Sequence, residues 1–183
     1  IPADLLYLND SWPVTVMSYV DQAESPYFST LDYSRVYITT PMGADIVAIQ
    51  SMYGLSTNIR TGNTTYGFNN TSGRAAFEAV AGVGPQAYAI VDNGGIDTLD
   101  YSGYTQDQVI NLTQESFSNV GGRVGNVTIG RATVIENAIG GSGSDSITGN
   151  SAANTLTGGN GNASLNGGDG NDLLIGGTGT EVP

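Results

Sequence analysis

Apolar positions along this chain follow three spacings in turn, and each spacing predicts a different element. Around residues 41–54, Ile46, Ile49, Met52 and Tyr53 fall at i, i+3, i+6 and i+7, an apolar stripe of helical period. Pro41 suits the first turn of that helix and Gly54 its end. From about 58 to 138 the apolar residues gather in short runs at 88–91, 108–112 and 126–129, separated by Asn-Gly, Gly-Gly and Ser-Gly breaks. That texture predicts short strands in a small antiparallel β-sandwich. From 140 onward a single apolar residue returns every nine positions, at Ile147, Leu156, Leu165 and Leu174.

Written in nines, the last stretch runs GGSGSDSIT, GNSAANTLT, GGNGNASLN, GGDGNDLLI and GGTGTEVP, with no insertion. This pattern resembles the calcium-binding nonapeptide of RTX repeats, which implies a parallel β-roll. The first six residues of a unit would turn and the last three would form a strand, stacking the four recurring apolar side chains in one narrow interior. Glycines allow the left-handed turn and aim carbonyl oxygens inward, while the sixth position offers a side-chain oxygen. Successive turns lie on opposite edges, so turns sharing a cation should sit 18 residues apart. The implied calcium ligands are Gly140, Ser142, Asp145, Gly149, Asn154, Gly158, Asn160, Gly167, Asp169 and Asp172. One edge carries Asp145, Ala163 and Glu181 and the other Asn154 and Asp172. Each pair therefore holds at most one acid, and calcium affinity follows ligand charge, so these sites are expected to be weak.

Composition narrows the partners. Net charge is −12, and the only basic residues are five arginines, Arg35, Arg60, Arg74, Arg123 and Arg131. A nucleic-acid partner needs a basic stripe to release counterions, and an anionic membrane surface needs the same. Excess carboxylates attract hard cations instead. Without cysteine there is neither a disulfide nor thiolate chemistry, and without histidine the commonest zinc ligand and general base are missing. No apolar run approaches the roughly 20 residues of a membrane span. The opening Ile1-Pro2-Ala3-Asp4 lacks the regions of a secretory signal and reads as an entry into the middle of a longer protein.

Five segments taken in order, VMSY (16–19), DIVAIQSMYG (45–54), RTGNTTYGF (60–68), DNGGIDTLDYSGY (92–104) and IENAIGGSGSD (135–145), resemble the serralysin-type metalloproteases. That family comprises secreted bacterial zinc endopeptidases of the metzincin group with a calcium-binding C-terminal domain. The resemblance implies that residues 1–57 are the end of a partly helical catalytic domain and 58–183 the calcium-binding domain, with RTX repeats over 140–183. Fold class follows: mainly β, a β-sandwich leading into a parallel β-roll. VMSY would be the Met-turn beneath the zinc, with Met17 its methionine and Tyr19 the tyrosine that reaches the metal. The family's zinc helix, H-E-x-x-H-x-x-G-x-x-H, has no counterpart in a chain without histidine and is expected upstream of Ile1. This chain alone is therefore expected to be inactive unless a catalytic fragment accompanies it as a partner, and protein substrates belong to the full-length enzyme.

The resemblance also implies two calcium sites ahead of the repeats. In the first, carbonyls of Arg60, Gly62, Thr64 and Gly94 join the carboxylates of Asp92 and Asp97. In the second, Asp97 bridges to the carbonyls of Gly95 and Val134 and the carboxylate of Glu136. Mixed carboxylates and carbonyls suit the six to eight oxygens calcium takes. The alternative for Asp92 and Asp97 is an Asx-type turn, since D-N-G-G is a turn sequence. Export by a type I system into the extracellular medium is implied, where calcium would order the repeats. A second reading is a non-catalytic secreted RTX binding or adhesion protein that kept the protease scaffold.

Overall fold

The computed structural model describes residues 37–179. Met17 and Tyr19 lie outside the described residues, as does Glu181. The first helix among the described residues, α1, is Gly43–Tyr53, with Met42 as N-cap. The Asp45 carboxylate accepts the Met42 N–H at 2.9 Å, satisfying a donor at the helix start. Gly54, at φ +86°, ends the helix and donates its N–H to the Gln50 carbonyl, as the sequence predicts. Pro41 stands just before the N-cap rather than inside the first turn. Of the apolar stripe only Ile46 is buried, while Ile49, Met52 and Tyr53 are exposed.

Eleven short strands follow among the described residues: β1 Thr65–Gly67, β2 Tyr88–Ile90, β3 Thr98–Asp100, β4 Val109–Asn111, β5 Phe117–Ser118, β6 Val127–Ile129, β7 Asn137–Ile139, β8 Asp145–Thr148, β9 Thr155–Thr157, β10 Ala163–Asn166 and β11 Leu173–Ile175. One sheet runs β1-β3-β7-β9-β11 and a second β10-β8-β4, and every pairing within them is parallel. From β7 to β11 the chain alternates between these two sheets, which is the course of a roll. A third sheet, β2-β6-β5, contains the one antiparallel strand pair among the described residues, β5 with β6.

The antiparallel sandwich expected for 58–138 is thus corrected. Strands β1, β3 and β4 are earlier coils of the same parallel roll that the nonapeptides continue. Between β1 and β3 the chain runs from Gly67 to Thr98, and between β3 and β7 from Asp100 to Asn137, both long enough for parallel crossovers. Gly-rich breaks mark where a strand stops, not which way its neighbour runs.

Register places one side chain per coil in the interior. Tyr66, Leu99, Ala138, Leu156 and Leu174 align across the first sheet, and Ile110, Ile147 and Leu165 across the second. All are buried except Leu174 on the last described strand, which is 40% exposed. Each fully buried aliphatic side chain contributes roughly 1.5–3 kcal/mol. The 18-residue offset expected between paired repeat strands is the observed one, Asp145 opposite Ala163 and Leu174 opposite Leu156.

Candidate metal sites

At the turn-to-strand junctions, polar side chains line up in two columns, one on each edge of the roll. Thr64, Asp97, Glu136, Asn154 and Asp172 directly precede β1, β3, β7, β9 and β11. Gln108 directly precedes β4, and Asp145 and Ala163 open β8 and β10. A backbone ladder ties each column. The N–H of Thr64 donates to Asp97 Oδ1 at 2.7 Å, and that of Asp97 to Glu136 Oε2 at 2.7 Å. Asn154 N–H reaches Asp172 Oδ1 at 2.9 Å, and on the other edge Gln108 N–H reaches Asp145 Oδ1 at 2.9 Å. Between Glu136 and Asn154 the link differs, the Asn154 amide donating to the Glu136 carbonyl at 3.0 Å.

The first column opens on the cluster singled out in the sequence. Asp92 and Asp97 are both fully buried, and Asp97 Oδ2 has no hydrogen-bond partner. Burial drives the Asp97 carboxyl up to about 7; the Thr64 N–H opposes this, and the Asp92 and Glu136 charges add to it. Asp92 Oδ1 accepts the Gly94 N–H at 3.1 Å, the Asx turn that D-N-G-G suggests, while its own N–H donates to Thr133 Oγ1. The same loop is pinned to segment 59–64 by Asn93, whose N–H and Oδ1 bond the backbone of Ile59. Gly95, at φ +128°, leans so closely on this segment that a Cβ would fall 2.7 Å from the Gly62 carbonyl oxygen. Arg60 adopts a left-handed φ of +47°, and the Thr64 hydroxyl donates to the Gly62 carbonyl at 3.0 Å. The structure therefore brings Arg60, Gly62, Thr64, Asp92, Gly94, Gly95, Asp97 and Glu136 together. Val134 lies two residues before Glu136 on the approach to β7 and is 41% exposed.

Among the described residues no three His, Cys, Asp or Glu side chains close into a metal cluster by themselves. Six of the nine ligands expected ahead of the repeats are backbone carbonyls, so this does not count against calcium, which readily takes them. Two features fit a cation: a buried carboxylate oxygen with no proton donor, and a glycine cradle that a Cβ would fill.

In the repeats the fit is weaker. Asp145 is buried, and burial raises its carboxyl, but both oxygens already accept N–H groups, from Gly141 at 2.6 Å and Gln108. A Cβ on Gly140 would fall 2.5 Å from Asp145 Oδ2 and 2.8 Å from the Gly158 carbonyl, so those three groups face one another. The N–H of Ser142 is held by the Tyr104 carbonyl and that of Asn160 by the Gly141 carbonyl. On the opposite edge Asn154 Oδ1 accepts the Asn150 N–H at 2.8 Å. Gly149 and Gly167 there pack directly on the Asn154 and Asp172 side chains. Asp169 lies apart with Val134, Thr148 and Asn150 on a shallow groove of about 480 Å³.

Two participants had no sequence signal. Gln108 occupies the sixth-position place opposite Asp145, visible only once β4 is paired with β8. Tyr66 sends its phenol to Asp92 Oδ2 at 2.5 Å; burial, reinforced by that carboxylate, raises the phenol's pKa well above the usual tyrosine value.

With this geometry in hand, the similarities are specific. Residues 55–182 match the family described as Peptidase M10 serralysin C terminal. The chain is 44% identical over 144 residues to a metallopeptidase AprA of Pseudomonas marginalis, covering 79% of this chain and 30% of that protein. It is 46% identical to a serralysin of Photorhabdus luminescens over 139 residues, 76% of this chain and 28% of the relative. It is also 46% identical to a serralysin C of Dickeya chrysanthemi over 142 residues, 78% and 29% respectively. The chain belongs to the serralysin C-terminal family, and it spans less than a third of the length of these relatives.

Proposed function

We propose that this chain is the calcium-binding C-terminal portion of a secreted, extracellular serralysin-like zinc metalloendopeptidase, with residues 58–183 acting as a folding and stability module. The observation that carries the reading is Asp97: a buried carboxylate with one unpartnered oxygen, beside Asp92 and Glu136. A calcium ion would neutralise that carboxylate and join three segments distant in sequence, 60–64, 92–97 and 134–136. The Gly149, Asn154, Gly167 and Asp172 set, and the Gly140, Ser142, Asp145, Gly158 and Asn160 set, serve as weaker RTX sites. Bound calcium stabilises only the folded chain, by about 2.7 kcal/mol per site at a hundredfold excess over Kd.

The family's zinc does not fit on these residues. The chain has no histidine, and a catalytic zinc keeps three protein ligands. No hydrolytic step is assigned to this chain, and residues 1–57 are read as the metzincin remnant that a histidine-bearing part would complete. Protein substrates belong to that whole enzyme.

Elemental analysis of the dialysed chain, paired with thermal melts in calcium and in chelator, tests the reading. Several calcium ions per chain and a melting temperature that rises with calcium are expected. Absence of bound calcium together with superimposable melts would overturn it.

A further inference from the structure

Resting on that reading of Asp92 as a calcium ligand, we propose that Tyr66 and Arg60 are positioning residues for the first calcium site, holding the Asp92 carboxylate and the Arg60 carbonyl in the geometry the ion requires. Tyr66 is fully buried on β1, and its phenol donates to Asp92 Oδ2 at 2.5 Å. Arg60 Nε donates in turn to the Tyr66 oxygen at 2.8 Å, and its terminal nitrogen donates to the Val91 carbonyl. The guanidinium lies over the Phe77 and Tyr66 rings, 5.2 and 5.8 Å from their centroids.

Three consequences follow from these contacts. First, Asp92 Oδ2 is fixed from inside the protein, which turns the carboxylate's Oδ1 side toward the Gly94 turn. Second, the phenol lies between guanidinium and carboxylate: the Arg60 Nε forms an ion pair with Asp92 Oδ2 at 3.8 Å, beyond hydrogen-bond range. The arginine therefore adds a long ion pair to the carboxylate but reaches it by hydrogen bond through Tyr66. Third, Arg60 is anchored at both ends. Its backbone holds a left-handed φ of +47°, costly for a residue with a side chain. Its side chain is clamped by Tyr66, Val91 and two rings. That clamp keeps the strained peptide, and the carbonyl expected to face the ion, in place before the ion arrives. Such outer partners typically tune metal affinity ten- to a hundredfold.

The test is a double-mutant cycle on the full chain, with calcium itself as the probe and the calcium midpoint of the thermal-melt shift as readout. Tyr66→Phe removes one hydroxyl and is expected to raise the calcium midpoint about tenfold. Arg60→Lys keeps the charge, loses the fork that reaches both Tyr66 and Val91, and should raise it by a similar factor. Neither change should add to Asp97→Asn, because the site is then already lost. A phenol that only packs would lower the melting temperature equally with and without calcium and leave the midpoint unmoved. That result, or full additivity with Asp97→Asn, overturns the positioning role. If Asp97→Asn itself leaves the calcium response intact, the calcium reading of the site fails instead.

Discussion

The two edges of the roll share one backbone plan and differ in what it leaves unsatisfied. On both, an N–H from one coil donates to the side-chain oxygen that stands at the same place in the next coil. On the first edge Asp97 is followed by Glu136 and overlooked by Asp92, and one Asp97 oxygen remains without a donor. On the second edge Asp145 has Gln108 on one side and Ala163 on the other, and each of its oxygens receives an N–H. Equal burial thus has unequal cost. A lone buried carboxylate can be satisfied by amides, whereas stacked carboxylates need a positive charge between them. The first edge should respond to calcium strongly and the second weakly.

Asp97→Ala attacks the comparison at its root. It removes the carboxylate shared by both sites ahead of the repeats and should abolish about 2.7 kcal/mol of calcium-dependent stability per site at a hundredfold calcium excess. Calcium-dependent melting would register this as loss of most of the upward shift; a shift of unaltered size would place the calcium response on the second edge.

Ala163→Asp should make the second edge resemble the first. It sets a second carboxylate opposite Asp145. In chelator the pair should cost roughly 1–2 kcal/mol, seen as a drop of about 2–4 °C per kcal/mol, and calcium should reverse the sign. A variant that melts lower under both conditions would show that Asp145 cannot release its amide donors to an ion.

The smallest effect is the pH dependence of the calcium-free chain. Asp97 titrates at about 7 when folded against an ordinary value of 3.8, so the folded state binds more protons between those values. Its contribution is fully present below about pH 4 and disappears as pH rises through 7, so calcium-free stability should fall across that window. Asp97→Asn should flatten the slope. A slope left intact would assign it to Asp145, whose carboxyl is also raised.

Much of this was legible in residues 140–175, because a fixed period of nine sets the position of every interior leucine and every turn oxygen at once. Asp92 and Asp97 could also be picked out, standing in a turn sequence within a recognisable flank. The unity of the first edge was hidden. Thr64, Asp97 and Glu136 lie 33 and 39 residues apart, and loops of that length carry no period to count. Gln108 stands 37 residues before Asp145, one off a multiple of nine, so no extension of the repeat would reach it. The helix illustrates the reverse failure: a regular apolar stripe at Ile49, Met52 and Tyr53 forecasts a buried face, yet burial depends on neighbours that spacing does not name.

The ladder along the edges also has a direction. Thr64 waits for Asp97, Asp97 for Glu136, Asn154 for Asp172 and Gln108 for Asp145; in these four links the donor is upstream and the acceptor downstream, and only the Glu136–Asn154 link runs the other way. A coil leaving the ribosome therefore emerges with its junction N–H unsatisfied and can close only when later sequence arrives. The roll is a queue served from the back. A chain cut short behind one of these four coils leaves its junction N–H exposed to water, so each of them depends on the coil that follows it.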